Sequence, residues 1–430
     1  MKKLCLGLLT AFTFILPAFG GQDATVKVVR AAHLVDVEKG KIHDNMMVWI
    51  EGDKITKVAS QDTEIALPEG AEIIDLGADS YLMPGLMDSH VHLIGSPIFG
   101  YDSYQHSTAR QLVYGVANAK ITLEAGFTTV RNVGASGFTD VALRDAINEG
   151  DVPGPRMLVS GPALGITGGH CDENMLPYDY HEKAEGVADG PWEVRRMVRQ
   201  NIKYGADMIK FCGTGGVFSK GTIVGAQQYS LEEMKAIVEE AHMAGRKVAV
   251  HAHGTEGIKS AILAGADSIE HVSYLDDEGI KLAKKHGTWF SMDIYNDDFI
   301  LQEGAKHGMT EESLAKERAV GLRQRQSFER AVKAGVKMSY GTDAGVYPHG
   351  GNGKQMVKMV EWGMTPMQAV ITATRETAIL FGLQDRVGII KEGMLADMVA
   401  IKGDPLADLS LFEKVGFVMK DGKVYKNTLQ

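Results

Sequence analysis

Cysteine is scarce: the chain of 430 residues contains three. Cys5 sits within the apolar N-terminal stretch, too early to be a lipid-attachment site placed after an apolar core, so Cys171 and Cys212 are what remains for the folded part. Two cysteines exclude a disulfide framework as the source of stability. The sequence allows one bridge between them without supporting it, and they are read as two inert thiols. Positive charge is also in deficit, with 45 Lys and Arg against 55 Asp and Glu and a formal net charge of −10. No basic patch and no long block of one sign occurs, which argues against a nucleic-acid surface and leaves charge as a property of the solvated exterior. An apolar run long enough to span a bilayer is missing at the N-terminus too. "MKKLCLGLLTAFTFILPAFG" has a Lys2-Lys3 head, a short apolar core and small residues at Ala18 and Gly20. It reads as a cleavable export signal over 1–20, with a membrane anchor as the alternative, and sends the mature chain to the periplasm or outside the cell.

What is present is apolar content, 44% of residues, enough to bury a large core and to build one big α/β domain plus a smaller one. From Ala24 to about Leu82 short apolar runs alternate with turns ("VKVVRAAHLVD", "MMVWIEGDKITKVAS", "AEIIDLG"), the pattern of a small β layer. The C-terminal end repeats it in "ADMVAIKGDPLADL" and "VGFVMKDGKVYKN", where Asp421-Gly422 is a hairpin signal. Residues 21–82 and 386–430 are therefore expected to form one β-sandwich domain around the stretch 83–385. Within that stretch "FTTVRNVG", "RMLVSG", "DMIKFCG", "KVAVHAHG", "DSIEHV", "TWFSMD" and "KMSYGTD" alternate with amphipathic helical segments. One of these segments, "SLEEMKAIVEEAHMAG", opens on a capping box formed by Ser230 and Glu233. With the strand of "MPGLMDSHVHL" the count reaches about eight, which predicts an α/β fold of the (β/α)8 barrel type with its active site at the C-terminal ends of the strands.

In "MPGLMDSHVHL" strand alternation sends His90 and His92 to the same side. Polar residues interrupt other strands at the same point: Lys210, His251, His271 and Asp343. Each alone is ordinary, a hydrogen-bonded histidine or a lysine reaching for solvent. Six at the same level of successive units point to a metal site, because neutral imidazoles supply nitrogen without adding charge and an aspartate supplies an anionic oxygen. "GTGGVFSKGT" does not fit the spacing of a phosphate loop and reads as a substrate-covering loop.

On these residues the chain resembles the amidohydrolase superfamily over everything after the export signal. "GIIKEGMLADMVAIKGDPL" looks like that family's closing β segment. "TGGH", "KFCGTGGV", "AHMAGRKVAVHAHG" and "GTDAGVYPHG" look most like its branch of prolidase-like Xaa-Pro dipeptidases, carboxypeptidase-like dipeptidases and ochratoxin-type N-acyl amino acid hydrolases. The resemblance implies two divalent metal ions, read as zinc, held by His90, His92, Lys210, His251, His271 and Asp343. It implies that Lys210 is N6-carboxylated, since an ammonium has no lone pair to offer. It also implies attack of a metal-activated water on an amide carbonyl, with Asp343 carrying the proton. His253 with Glu256 is the alternative pair, in the manner of a mononuclear deaminase. Alternation and Lys210 favour His251, and Thr255 with Glu256 then simply open a helix. For the substrate carboxylate the resemblance points to His170 and Tyr229, with His349 and Arg131 behind them. The expected partner is a dipeptide or another small molecule, and the chain is expected to form a homo-oligomer. A cyclic-amide hydrolase related to imidazolonepropionase and a non-catalytic exported metal-binding protein are the competing readings. Lys210 and the export signal count against the first, and the full ligand set counts against the second.

Overall fold

The computed structural model describes residues 26–96 and 98–429. The segment 1–20, expected to be an export signal, lies outside them. All eight expected barrel segments become strands: β1 (Leu86–Val91), β2 (Phe127–Asn132), β3 (Arg156–Val159), β4 (Met208–Cys212), β5 (Lys247–Ala252), β6 (Ser268–His271), β7 (Trp289–Ser291) and β8 (Met338–Ser339). Their near-continuous apolar runs fit parallel strands covered on both faces. Every residue of β1, β2, β4, β6 and β7 is buried. A helix follows each of the first seven, from Thr108–Glu124 after β1 to Glu311–Ala334 after β7.

The strands pair in parallel as two arcs, β1-β2-β3 and β4-β5-β6-β7-β8. Backbone hydrogen bonds just beyond the short strands β3 and β8 close the two seams. At one, Leu164 N donates to Lys210 O at 2.9 Å and Cys212 N donates to Leu164 O at 2.8 Å. At the other, Asp343 N donates to His90 O and His92 N to Ala344 O, each at 2.7 Å. The segments that carry the candidate ligands thus also close the barrel.

The strands from the two chain ends join in one hydrogen-bonded sheet. Its order is Lys423–Asn427, Phe417–Lys420, Met398–Lys402, Ser80–Pro84, Lys27–Asp36, Lys41–Glu51 and Lys54–Ser60, with Glu72–Asp75 also paired to Lys27–Asp36. Val29, Val48, Ile50, Leu82, Met398 and Phe417 build a core of its own from both ends of the chain. The hairpin at Asp421-Gly422 is present, with φ of +50° and +71° at the two turn residues. Helix starts follow their caps: Ser230 accepts from Glu233 N at 3.3 Å, and the Glu233 carboxylate accepts from Ser230 N at 2.8 Å. Among the described residues no helix is long and apolar enough to cross a membrane.

Candidate active site

A cavity of about 490 Å³ opens at the C-terminal ends of the barrel strands, and His90, His92, Lys210, His251, His271 and Asp343 all line it. Backbone geometry aims two of them. His271 and Asp343 have φ of +69° and +54°, a left-handed region that histidine and aspartate tolerate better than most residues. Val272, at +55°, is β-branched and strained there, which ends β6 abruptly behind His271.

Asp343 sits between the two histidines of β1, its Oδ1 3.3 Å from Nε2 of both His90 and His92. Burial opposes its charge, but these imidazoles hold the carboxyl well below the usual range. Burial pushes the Lys210 ammonium down to about 8 against the pull of Glu270 and Asp343. His251, His253 and His271 can present ligand atoms within 4.8 Å of one another, and so can His90, His271 and Asp343. His251 Nε2 is buried and has no hydrogen-bond partner among the described residues. Burial and the neighbouring imidazoles keep His251 and His253 well below the usual histidine value, in the neutral form that binds metal. Crowded neutral imidazoles, an orphaned ring nitrogen and a shared carboxylate are a donor set that fits divalent cations.

A buried layer that the sequence reading did not pick out orients these rings. Asp293 Oδ1 lies 2.8 Å from His271 Nδ1 and accepts from Gln324 at 3.0 Å, while its Oδ2 accepts from Asn296 at 2.8 Å. Such a carboxylate fixes the tautomer and leaves Nε2 facing the cavity. Glu270 Oε2 lies 3.1 Å from His90 Nδ1, an ion-pair contact rather than an aligned hydrogen bond. Its other oxygen accepts from Arg131 at 2.7 Å and Ser268 at 2.6 Å. Burial alone would raise this carboxyl, but Arg131 and His90 bring it below its ordinary value. The only signals were a glutamate inside "SIEHV" and an aspartate closing "FSMD".

The expected substrate contacts divide. His170 lines the cavity, stacks on His251 with ring centroids 4.1 Å apart, and is fixed through Nδ1 to Ser219 Oγ at 2.8 Å. Gly216 lets its ring come close, since a Cβ there would collide with it. Val217 and Phe218, from "GTGGVFSKGT", line the same cavity. Tyr229 is a correction: it is fully buried away from the cavity, and its hydroxyl donates to Ala188 O at 3.0 Å. Arg131 is another, because its donors are spent on Ser89 O at 2.6 Å and on Glu270. His349 reaches the cavity with both ring nitrogens engaged, one 3.0 Å from His92 O and one 3.3 Å from Thr122 Oγ1. His253 also lines the cavity, its Nδ1 2.7 Å from Ser273 Oγ. Glu256 is exposed at a helix start and pairs with Lys259 at 2.9 Å, so it stays out of the site. The two cysteines are not separate thiols. Cys171 and Cys212 form a disulfide with Cα atoms 5.9 Å apart, tying the loop next to His170 to the end of β4.

An eight-stranded parallel barrel whose strand ends gather imidazoles and carboxylates around one cavity defines a barrel hydrolase. The chain belongs to the amidohydrolase family, whose model matches residues 81–425. Ochratoxinase of Aspergillus niger is 36% identical over 430 residues, covering 94% of this chain and 87% of that protein. A crystal structure of a Xaa-Pro dipeptidase with methionine bound in its active site superposes with a TM-score of 0.88 at 38% identity, over 94% of this chain and all of that one. The crystal structure of A. niger ochratoxinase superposes with a TM-score of 0.83 at 32% identity, over 94% and 96% of the two chains. The protein is a hydrolase of carbon–nitrogen bonds, which removes the non-catalytic alternative.

Proposed function

We propose that the protein is an exported dinuclear zinc hydrolase that cleaves the amide bond of dipeptides or N-acyl amino acids, ochratoxin-type aromatic amides among them, when the leaving amino acid has a free carboxylate. The observation that carries the reading is the convergence of His90, His92, Lys210, His251, His271 and Asp343 on one cavity. Those six residues would hold two divalent ions, which when bound polarise a scissile carbonyl and make water a nucleophile at neutral pH. Lys210 would contribute as a carbamate: the ammonium gives up one proton, carbon dioxide adds to the neutral Nζ with loss of a second, and a buried cation becomes an anion with two oxygens to offer. Asp343 takes a proton at Oδ1 and returns it to the leaving nitrogen. Its Oδ2 is steadied meanwhile by Asn296 Nδ2 at 3.1 Å. His170 is left to meet the substrate carboxylate, since Tyr229 and Arg131 are engaged elsewhere. The disulfide supports export, because such bonds persist in oxidising compartments.

The test is a panel of Xaa-Pro, Xaa-Phe and Xaa-Arg dipeptides and aromatic N-acyl amino acids, each as free acid and as C-terminal amide, with metal content measured alongside. A charge-assisted contact to the carboxylate predicts that amidation lowers kcat/KM about ten- to a hundredfold. Equal rates on acids and amides would overturn the carboxylate requirement and favour a cyclic-amide substrate. Active protein holding a single ion would overturn the dinuclear reading.

A further inference from the structure

One wall of the cavity carries a carboxyl group that the chemistry above does not use. Glu317, on the helix Glu311–Ala334, lines the cavity and is 4% exposed. Among the described residues no hydrogen bond or ion pair reaches its carboxylate. The charged groups around it are Asp293, Asp297, Asp343 and Arg325. The one cation among them is already committed: Arg325 pairs with Asp297 at 3.2 Å and Asp298 at 2.9 Å, and its Nε donates to Ile294 O at 3.1 Å. Burial, then Asp297 and Asp293, push the Glu317 carboxyl up to about 8. Buried carboxylates are costly and are normally paired. This one faces a substrate space walled on the same side by Ile300, Val346 and Phe218. An acid beyond an apolar wall suits a ligand with an apolar stem and a positive end.

We propose that Glu317 is a specificity-determining residue that receives a cationic nitrogen of the substrate, a protonated amine or a guanidinium. This rests on the amide-hydrolase reading and narrows its substrates to those carrying a positive charge. The charge can come from the side chain of the leaving amino acid or from the α-ammonium of a dipeptide. Two matched pairs separate these sources. Alanyl-lysine against alanyl-norleucine removes the ε-ammonium, and alanyl-phenylalanine against propionyl-phenylalanine removes the α-ammonium.

With the zinc-loaded protein, one pair should favour its cationic member in kcat/KM by about ten- to a hundredfold, and that pair names the source. Glu317→Gln should bring the ratio to about one. Glu317→Met, similar in volume and without hydrogen-bonding oxygens, should do the same, so that two folded variants carry the result. Wild-type ratios near one in both pairs would overturn the proposal, as would a preference that survives in both variants. Loss of zinc from Glu317→Gln would also overturn it by making the residue a ligand. If none of the four compounds is cleaved, the hydrolase reading has failed separately, and calorimetric binding of lysine against norleucine and of alaninamide against propionamide still decides the matter. Tighter binding of a cationic member that vanishes in Glu317→Gln upholds the role, and equal binding ends it.

Discussion

At the scale of single residues, the carboxylates behind the imidazoles matter as much as the imidazoles that face the cavity. Asp293 touches His271 Nδ1 at 2.8 Å and is itself held by Gln324 and Asn296. Its removal leaves His271 free to rotate and to place its proton on the wrong nitrogen. Asp293→Ala should weaken zinc binding about ten- to a hundredfold, measured by competition with a chromophoric chelator. Unchanged affinity would remove His271 from the ligand set. The six cavity residues could be read from the sequence because each interrupts an apolar strand at the same level. Glu270 and Asp293 could not, since a carboxylate acquires its meaning from partners that only the folded chain supplies. For Glu270 that partner is Arg131, 139 positions away. Tyr229 and Arg131 misled for the converse reason. Both side chains can grip a carboxylate, but burial spends their donors on Ala188, Ser89 and Glu270.

At the scale of elements, strand number and order were legible, and strand length was not. "KMSYGTD" reads as a full strand, yet only Met338–Ser339 pairs as one. Beyond it the chain turns through Asp343 in the left-handed region and bonds across the seam to His90 and His92. That departure from regular pairing is what places Asp343 against the histidines. The loop after β3 is fixed differently, by the Cys171–Cys212 bond across a sequence separation of 41. Spacing alone could not reveal the bond, because pairing depends on β3 and β4 being neighbours around the barrel. Closing a loop of that length stabilises a fold by about 4 kcal/mol in the chain-entropy account. Cys171→Ser with Cys212→Ser should therefore lower the unfolding free energy in denaturant by an amount of that order, and reductant should do the same to the wild type. If neither moves the midpoint, the bridge is absent from the protein in solution.

At the scale of the whole molecule, the barrel and the sheet from the two chain ends share a buried ionic contact. Arg156, the first residue of β3, donates through Nη1 to Asp397 at 2.6 Å and to Thr129 at 2.9 Å, while Nη2 reaches Asp421 in the final hairpin turn. The Asp397 side chain is 1% exposed and also accepts from Asp421 N at 2.9 Å. The contact joins a barrel strand to the entry of Met398–Lys402 and to the turn that follows Phe417–Lys420. The β layers at both ends, their union in one domain and the hairpin were legible, but the anchoring of that domain on β3 was not, since nothing in the spacing of Arg156 and Asp397 links them. Arg156→Ala strands a buried carboxylate and should cost about 3–5 kcal/mol. A loss below about 1 kcal/mol, as for a surface pair, would show that the sheet docks without this contact. The double variant Arg156→Met with Asp397→Leu leaves no charge unpaired at Asp397 and should recover much of the loss. A double-mutant cycle on denaturant midpoints then isolates the pair from the packing of the arginine stem.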